Sequence, residues 1–518
     1  MENLINQLNG IIWSPMLVYL CLGAGLFFTI KIGGAQFLMI KEMIRLLLGN
    51  DIKPGEKSKD SISGFEAMCM SVSGRVGTGN IAGVATAIAL GGPGSIFWLW
   101  VISLLGAASS YVESTLGQLY KEKFEKGYRG GPAYYFKKGL LGGKTWYGNL
   151  FAIVTVTGMS LFMPSVQANV IAGSMQNAIG LPTWVSGLGI ITLLAIIIFG
   201  GAKRIAKFAG VVVPFMAIAY IIIALIVLAL NIGDIIPSLS LIVRSAFGQE
   251  EAFAGIVGAA IMWGVKRGIY SNEAGQGTGP ASAAAAETSH PAKQGLIQAF
   301  SIYIDSIFVC TATALMIIIT GAYKVFSPNG KEIYSGLGTT AEMTASNIGS
   351  LNTTVALDAG IGYGAYIVAI TIMFFAFTTI LAYFWNGDSA AIYLFEKKAY
   401  GKIIRKMLNV VFLVFAFLGS IMSGGMAWTL GDIGVGMMAW VNIIGILIMY
   451  KPTIICLKDY QTRLKNGTQD NWDFNPNKIG IEGNFELWDD IRINGRDLEP
   501  IKVAKTKLKA KTELKTEY

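Results

Sequence analysis

Two apolar stretches of this sequence are interrupted by polar, glycine-rich segments. The first segment reads Ser73-Gly74-Arg75-Val76-Gly77-Thr78-Gly79-Asn80, and the second reads Ser271-Asn272-Glu273-Ala274-Gly275-Gln276-Gly277-Thr278-Gly279-Pro280. Glycine and proline in a helix interior cost roughly 1 and 3 kcal/mol relative to alanine, so a helix is expected to break at each segment. Irregular backbone at membrane depth is tolerated where protein encloses it or where it lines a cavity. The segments therefore predict two broken helices with a functional site between them.

The composition places these segments in a membrane protein. Of 518 residues, 53% are hydrophobic and 14% are charged, and the mean hydropathy is +0.54. Soluble domains carry roughly 25% charged residues, so this chain has too few charges to cover a water-facing surface. This excludes an ordinary soluble enzyme and predicts a multi-pass protein of the cell (inner or plasma) membrane, embedded in the lipid bilayer. We interpret the net charge of +9 as a mark of membrane orientation and expect no nucleic-acid partner.

Eleven segments are apolar and long enough to cross a hydrocarbon core about 30 Å thick, which needs roughly 20 residues per helix. They are 11–30, 64–90, 94–118, 149–179, 183–200, 208–230, 252–286, 295–322, 362–387, 408–425 and 430–450. With the N-terminus outside, the inside segments contain 35 Lys and Arg and the outside segments contain 3. Because positively charged loops face the cytoplasm, this bias predicts eleven transmembrane helices with the N-terminus out and the C-terminus in.

The two interruptions lie in spans two and seven, so the interrupted helices cross the membrane in opposite directions. Paired interruptions in inverted halves indicate a transporter site near the middle of the bilayer. Spans two to six and seven to eleven are therefore predicted to form a five-plus-five inverted repeat, with span one as an additional helix. Residues 1–450 would form this transmembrane transporter domain. Residues 451–518 contain 13 Lys and Arg and 11 Asp and Glu and are predicted to be a solvated, charged cytoplasmic tail, with room for a small ordered patch around Trp472 and Trp488.

At the first interruption, the second half of the helix starts near Asn80 with its amino end at the middle of the membrane. Free amide groups and the positive end of the helix dipole there suit a carboxylate. Gly79 would let a ligand approach the backbone closely, and Asn80 would either cap the half-helix or bond the ligand directly. The alternative is that the glycines serve helix packing or a kink.

At the second interruption, the first half-helix ends near Tyr270 with its carbonyl groups at the same depth. Carbonyl oxygens favour a cation, either an ammonium group or Na⁺, so the two interruptions together predict a receptor for a zwitterion. Glu273 lies in this segment, where a carboxylate is costly unless it is paired, hydrated or protonated. It would bind the ammonium group or hydrogen-bond the break, and the structural role is favoured.

Further polar residues within the spans are candidates for the site. Gln167 in span four would bond the ligand or join two helices. The hydroxyl pair Thr378 and Thr379 in span nine would supply oxygen ligands to Na⁺, or each hydroxyl would bond the carbonyl one turn back. The other acids within spans are Glu66, Glu113 and Asp305, and their candidate partners are Arg75, Lys266 and Arg267. The sequence does not assign these pairs.

The residues around both interruptions resemble the alanine/glycine:cation symporter family. The match covers Thr78 to Thr86, then Gly91-Gly92-Pro93-Gly94 with Phe97-Trp98-Leu99-Trp100, and Met262-Trp263-Gly264-Val265-Lys266-Arg267-Gly268 running into Ser271-Asn272-Glu273-Ala274-Gly275. The resemblance extends over roughly residues 10–450. It implies an all-α, LeuT-like fold and import of small neutral amino acids, chiefly alanine and glycine, by alternating access. Na⁺ would be the coupling ion, with no other cofactor.

The resemblance also implies which residues form the site. The positions that match the family's amino-acid site are Asn80, Gln167, Glu273, Ala274, Gly275, Gln276 and Thr379. Thr378 and Thr379 are similar to the hydroxyl pair that helps to hold sodium in LeuT-like transporters. Tyr383 stands where the family has a pocket tryptophan, and Gln276 stands where leucine is commoner. These departures leave the preference for the substrate side chain open.

Other classes of function fit the sequence less well. An uncoupled channel or facilitator for small zwitterions also tolerates polar residues in the membrane and is the alternative, distinguished by flux without stoichiometric coupling. An enzyme would need a nucleophile–base pair or a metal cluster, which one histidine, His290, and four scattered cysteines do not supply, so no catalytic site is expected. An ATP-driven pump would need a soluble nucleotide-binding domain, and this sequence does not suggest one, so this class is not favoured.

The lysine and arginine bias generates a test of the orientation. A single cysteine at Ser350 should react with an impermeant thiol reagent added outside intact cells, and one at Lys398 should react only after the cytoplasmic side is opened. Labelling of both positions from the same side would overturn the inverted repeat.

Overall fold

The computed structural model describes residues 2–49, 62–124, 127–140, 145–327, 329–344, 349–395, 399–483, 485 and 487–489. Lys398 and residues 490–518 of the predicted tail lie outside these residues. The helices are α1 (Glu2–Ile12), α2 (Pro15–Lys31), α3 (Ala35–Leu38), α4 (Ile40–Leu48), α5 (Gly64–Arg75), α6 (Val84–Gly91), α7 (Gly94–Leu119), α8 (Pro132–Gly139), α9 (Trp146–Thr155), α10 (Met163–Ile179), α11 (Thr183–Ile198), α12 (Ala202–Leu230), α13 (Ile235–Ala246), α14 (Val257–Asn272), α15 (Gly279–Ala285), α16 (Pro291–Ile302), α17 (Thr311–Ile319), α18 (Ser350–Gly360), α19 (Gly364–Phe395), α20 (Gly401–Ile421), α21 (Gly424–Met449) and α22 (Lys451–Lys465).

Shorter elements connect these helices. Wider, π-helical turns occupy Gly79–Gly83, Val156–Phe162 and Tyr303–Cys310, and 3₁₀ turns occupy Ile232–Asp234, Ala254–Ile256 and Asn477–Ile479. Two antiparallel hairpins pair β1 (Glu122–Phe124) with β2 (Gly127–Arg129) and β3 (Lys324–Phe326) with β4 (Glu332–Ser335).

The long helices coincide with the predicted spans. Eight helical segments of the described chain are long and apolar enough to cross a membrane: Leu4–Lys31, Gly94–Leu119, Trp146–Ile179, Lys203–Leu230, Pro291–Ile319, Gly364–Phe395, Gly401–Ile421 and Gly424–Met449. The other three predicted spans correspond to the shorter apolar helix α11 and to the interrupted pairs α5–α6 and α14–α15. The number of crossings, eleven, stays a prediction, because length and apolarity alone define these segments.

Both predicted helix breaks are confirmed. α5 ends at Arg75, Val76 is extended (φ −78°, ψ 91°), and α6 follows the π-helical turn Gly79–Gly83. α14 ends at Asn272, and Glu273 takes the left-handed conformation with φ 55°. That conformation costs roughly 1–2 kcal/mol for a residue with a Cβ atom, so the neighbouring structure must hold it in place.

Helix packing sets the two breaks against each other. α7 packs along α14, α15 and α16, while α19 packs along α10, α20, α5 and α12. The broken helices themselves touch, since α15 contacts α5. The breaks therefore lie in the interior, enclosed by α7 on one side and by α10 and α19 on the other.

The segment between α17 and α19 is more structured than an exposed loop. Hairpin β3–β4 and α18 pack Val325, Tyr323 and Ala356 into an apolar cluster with Val84 and Ile88 of α6. This segment covers the end of the first broken helix that is predicted to face outside.

Residues 451–483 do not form the solvated tail that their charge predicted. α22 buries Cys456, Leu457 and Tyr460, and the ordered patch includes Trp488, which is 2% exposed and donates its indole N–H to the Leu119 carbonyl over 3.1 Å. Residues 451–483 pack against the transmembrane helices because charged side chains of this segment form ion pairs or hydrogen bonds with residues before 451. Lys293, whose side chain is fully buried, pairs with Asp470 at 2.7 Å.

His290 is the centre of a second contact between the tail and the body. Its Nδ1 accepts from the Ala292 amide at 3.1 Å, so in the neutral ring Nε2 carries the hydrogen and donates to Asp459 at 3.1 Å. Burial lowers the pKa of His290 to about 4, so the ring is neutral at pH 7. The only histidine in the sequence therefore anchors the tail and does not take part in the candidate site.

Candidate functional site

Three predicted site residues meet at the first break. Gln167 of α10 accepts a hydrogen bond from the Thr78 amide at 3.2 Å and donates to the Tyr383 hydroxyl at 3.3 Å. Thr379, one helical turn from Tyr383 on α19, donates to the Ser73 carbonyl at the end of α5, with an O–O distance of 2.8 Å. All three side chains are buried. α10, α19 and the first break therefore converge as the sequence predicted.

Glycine is required at the closest approaches. A Cβ atom on Gly77 would lie 2.5 Å from Thr379 Oγ1 and 3.2 Å from Gln167 Oε1. A Cβ on Gly79 would lie 3.2 Å from the Cα of Ser271 in the last turn of α14, so on this side Gly79 allows the two broken helices to pack closely, as the alternative for these glycines predicted. At Gly83, one turn further on, the nearest atom would be 3.7 Å away, an ordinary contact distance.

Asn80 is bonded into the protein. Its Oδ1 accepts from the Gly77 amide at 2.8 Å, which closes the turn of the break, and its Nδ2 donates to Asp305 Oδ1 at 2.6 Å. Asp305 also accepts from the hydroxyls of Ser271 and Ser306 at 3.0 and 2.7 Å. The bond from the Gly77 amide runs back toward α5 and does not cap the following half-helix, which has no side-chain cap, so neither predicted role of Asn80 is seen in the geometry and ligand binding by Asn80 stays a prediction.

A cluster of neutral oxygens surrounds the Thr379 hydroxyl. Its Oγ1 lies 2.8 Å from the Ser73 carbonyl, 3.3 Å from the Val76 carbonyl and 2.8 Å from the Phe375 carbonyl one turn back. Thr378 Oγ1 lies 2.9 Å from the same Phe375 carbonyl. A hydroxyl has one hydrogen to donate, so it cannot satisfy three carbonyls at once. The excess of oxygen lone pairs at this point suits a hard cation.

The two threonines of this cluster were predicted from the sequence, and their bonds to the Phe375 carbonyl are those of the alternative in which each hydroxyl bonds its own helix, but the Ser73 and Val76 carbonyls were not predicted. Ser73 lies in the last turn of α5, and Val76 directly follows the helix. In an unbroken helix the Gly77 amide would bond the Ser73 carbonyl, but here it bonds the Asn80 side chain instead. The signal was present in the sequence, because every helix break leaves its last carbonyls without intrahelical partners. Among the described residues, no group of three or more His, Cys, Asp or Glu could hold a metal ion. The cluster is built instead from backbone and hydroxyl groups.

The second break is held mainly by its own residues. Thr278 donates to Glu273 Oε2 at 2.7 Å, and the Gln276 amide donates to the Ile269 carbonyl at 2.5 Å. The Ala274 amide bonds Asn272 Oδ1 at 2.9 Å. Glu273 Oε1 is buried without a hydrogen-bond partner among the described residues. The predicted site residues Ala274 and Gln276 thus form hydrogen bonds within the break, whereas one carboxylate oxygen of Glu273 has no hydrogen-bond donor among the described residues.

Two charged residues from other spans fix the ends of this break. Glu113 of α7 accepts from the amides of Gly275 and Gly277 at 3.3 and 3.0 Å. Arg75, at the end of α5, donates to the Asn272 carbonyl, the last of α14, at 2.7 Å. An acid at the free amides and a base at the free carbonyls both match the sign of the backbone partial charges. Arg75 therefore connects the two breaks and Glu113 connects the second break to α7, and the sequence did not assign either role.

Lys266 and Arg267 pair with Asp432, an acid that was not among the candidates predicted from the sequence. Lys266 lies 2.6 Å from Asp432 of α21, and Arg267 forms two hydrogen bonds to the same carboxylate at 3.1 and 3.0 Å. The Arg267 guanidinium also stacks 4.7 Å from the Trp428 ring. This cluster is on the predicted outer side of the second break. Its signal in the sequence was an acid within span eleven, where isolated charges are costly.

Comparison with known proteins bears on the family and the fold of this chain. The family described as the sodium:alanine symporter family matches residues 1–474. The sodium/proton-dependent alanine carrier protein of Bacillus sp. (strain PS3) is 44% identical over 448 residues, covering 86% of this chain and 97% of the relative. The sodium/alanine symporter AgcS of Methanococcus maripaludis is 35% identical over 473 residues, covering 90% and 98%.

The solved structure of MhsT in complex with L-phenylalanine superposes with a TM-score of 0.50 at 15% identity, covering 78% of this chain and 99% of MhsT. At this identity the likeness shows the fold alone. It confirms the LeuT-like fold class and, with the long apolar helices, a multi-pass protein of the cell membrane.

The buried ion cluster generates a stability prediction. Asp432→Asn leaves Lys266 and Arg267 buried without a counter-charge, and removing one partner of a buried ion pair costs about 3–5 kcal/mol. The thermal midpoint of the purified protein should fall clearly. Arg244→Ala is the matched control, because it removes an exposed pair with Glu250 that is worth about 0–1 kcal/mol. Equal midpoints for the two variants would contradict a stabilising role for the cluster.

Proposed function

Because this chain belongs to the sodium:alanine symporter family, we propose that it is a sodium-coupled secondary symporter that imports alanine, and also glycine, by alternating access. The two relatives described above carry alanine and sodium in their names, at 44% and 35% identity over most of the chain. The substrates are small neutral amino acids, and Na⁺ is the coupling ion.

The oxygen cluster at Thr379 is the observation that supports sodium coupling most strongly. Thr379 Oγ1, Thr378 Oγ1 and the carbonyls of Ser73, Val76 and Phe375 approach one point, and a monovalent hard cation between them would relieve the crowding of oxygen atoms. Two of these carbonyls come from the broken helix. Binding of Na⁺ would therefore hold the first break against α19 and couple the ion to the shape of the amino-acid site.

The amino acid is proposed to bind beside this cluster. Its carboxylate would face the amide groups at the amino end of the turn Gly79–Gly83, where the backbone carries a partial positive charge. Its ammonium group would lie toward the second break, where Glu273 keeps an unpartnered oxygen. Gln167 and Tyr383, which bond each other, would bound the space for the substrate side chain and exclude leucine by overlap.

The energetics are sufficient for concentrative uptake. One Na⁺ moving through 100 mV releases about 2.3 kcal/mol, and a tenfold sodium gradient adds about 1.4 kcal/mol. Together they support a roughly 500-fold amino-acid gradient at full coupling. An uncoupled facilitator, the second candidate, would equilibrate alanine and never concentrate it.

Uptake into proteoliposomes tests the proposal directly. Labelled alanine should accumulate above its external concentration when an inward Na⁺ gradient is imposed, and K⁺ should not replace Na⁺. A proton gradient alone driving the same accumulation would identify a different coupling ion. Equilibration without accumulation under every gradient would favour the facilitator.

The threonine pair provides the sharper variant. Thr379→Val removes one oxygen and takes the hydroxyl donor from the Ser73 and Val76 carbonyls in a buried site, at a cost of about 1–3 kcal/mol. The Na⁺ concentration for half-maximal uptake should rise by roughly tenfold. Thr320→Val is the matched control, because that hydroxyl bonds the Met316 carbonyl one turn back on α17. Unchanged Na⁺ dependence in Thr379→Val would remove Thr379 from the ion site.

A further inference from the structure

The backbones of the two broken helices are joined at their predicted cytoplasmic ends. By the orientation that the charge bias predicts, α5 is the inner half of the first broken helix and α15 is the inner half of the second. Ile62, which lies shortly before α5, pairs with Ala286 directly after α15, and its carbonyl accepts from the Glu287 amide at 2.9 Å. A contact made at this point therefore acts on both breaks.

The end of α7 and the residues that follow it hold the same point. The side chains of Gln118 and Lys121 donate to the Ala286 carbonyl at 2.9 and 3.0 Å. Lys121 is 2% exposed, and its Nζ lies 4.1 Å from the centre of the Tyr128 ring and 5.2 Å from that of the Trp488 ring. A hydrogen bond is electrostatically stronger where water is excluded. The Trp488 ring of the tail thus shields a contact that fastens the second broken helix to α7.

Aromatic side chains hold Trp488 in place. Its ring centre lies 4.9 Å from that of Phe474, and the Phe485 ring lies 5.6 Å from the ring of Tyr120, which directly precedes Lys121. Aromatic pairs at such distances are favourable beyond the area that they bury. The match to the symporter family ends at residue 474, so Phe485 and Trp488 lie beyond it. These two side chains add an anchor to the region that the family defines.

The tail crosses the predicted cytoplasmic face from one side of the breaks to the other. α22 follows closely on α21, which packs against α10. α22 itself packs against α7 and α16, and the Tyr111 hydroxyl of α7 donates to the Thr453 carbonyl at 3.3 Å. Because α7 and α10 enclose the breaks from opposite sides, a separation of these sides at the cytoplasmic face requires the tail to leave its place.

We propose that the tail is a clamp that restrains opening of the site toward the cytoplasm, with Trp488 as its anchor. The tail clamp consists of α22, Phe474, Phe485 and Trp488. In its docked position it holds the α7 side and the α10 side together. Trp488 is a positioning residue, since it acts through Lys121 on the end of α15. The inference rests on the proposed function, because it requires a site that opens alternately to the two sides.

A native cysteine reports whether the tail clamp is docked. Cys456 is fully buried on the inner face of α22, so its alkylation by N-ethylmaleimide requires α22 to open. The reaction is measured by mass spectrometry of the Cys456 peptide from full-length protein in proteoliposomes. Trp488→Ala should speed it by at least about tenfold, because a large buried ring is lost. Trp488→Phe, which keeps an aromatic ring, should restore most of the protection.

The matched control is Trp146→Ala. Trp146 begins α9 on the same predicted side of the membrane and is 56% exposed, so its removal should leave Cys456 protected.

Sodium-driven uptake tests whether docking restrains transport. A contact that breaks only on inner opening limits the rate of the cycle. Trp488→Ala should therefore raise the maximal rate of alanine uptake severalfold while equilibrium binding of alanine changes little. Loss of a purely structural residue would lower the rate instead. Lys121→Met keeps a long side chain without the donor to Ala286, so it should raise the rate while Cys456 stays protected.

The outcomes separate the clamp from the proposed function. Faster alkylation of Cys456 without faster uptake would overturn the clamp, as would full protection of Cys456 in Trp488→Ala. An unchanged rate in Lys121→Met would also contradict it, and this variant decides the matter if Trp488→Ala does not fold. A wild type without sodium-driven uptake would refute the proposed function. In that case the uncoupled alanine flux of Trp488→Ala, compared with that of the wild type, would still decide the clamp.

Discussion

Breaking two helices inside an apolar interior frees backbone amides and carbonyls that water cannot reach, and the rest of this structure depends on how those groups are satisfied. Each unsatisfied group would cost several kcal/mol in such surroundings. Side chains supply the missing hydrogen bonds. Glu113 accepts from two amides of the second break, and Arg75 donates to the last carbonyl of α14. Asn80 accepts from the Gly77 amide in the first break. The breaks are thus fixed by residues up to two hundred positions away.

Two of the places where buried oxygens of the described residues lack enough donors lie at the candidate site. The carbonyls of Ser73, Val76 and Phe375 share the single hydrogen of Thr379, and Glu273 keeps one buried oxygen without a partner. Buried oxygen lone pairs that lack a donor attract cations. We therefore regard these two points as the positions where Na⁺ and an ammonium group complete the hydrogen bonding and charge balance of the protein. On the predicted outer side of them, the Asp432 cluster joins α14 to α21.

The breaks and the apolar spans could be predicted because glycine content, apolar length and charge bias act locally or along one helix, whereas the grouping of Gln167, Thr379 and Tyr383 in one site was implied only by the resemblance to a known family. It did not predict the pairing of Lys266 and Arg267 with Asp432, since ion pairs between distant helices depend on packing that no local pattern encodes. Backbone ligands such as the Val76 carbonyl were missed because every residue has a carbonyl and only geometry selects one. The packing of α22 was not predicted, because charged residues such as Asp459 and Asp470 are expected to face water. Only the structure shows that they contact His290 and Lys293.

The most direct test of the central claim compares two alanine substitutions in the first break. Gly77→Ala places a methyl group 2.5 Å from Thr379 Oγ1 and should weaken Na⁺-dependent binding of alanine by more than about tenfold, whereas Gly83→Ala, with 3.7 Å of clearance, should leave it within about twofold. The measurement is equilibrium binding of labelled alanine to folded, purified protein across a range of Na⁺ concentrations. A folded Gly77→Ala variant that binds alanine with the wild-type Na⁺ dependence would contradict the assignment of sodium and substrate to this break.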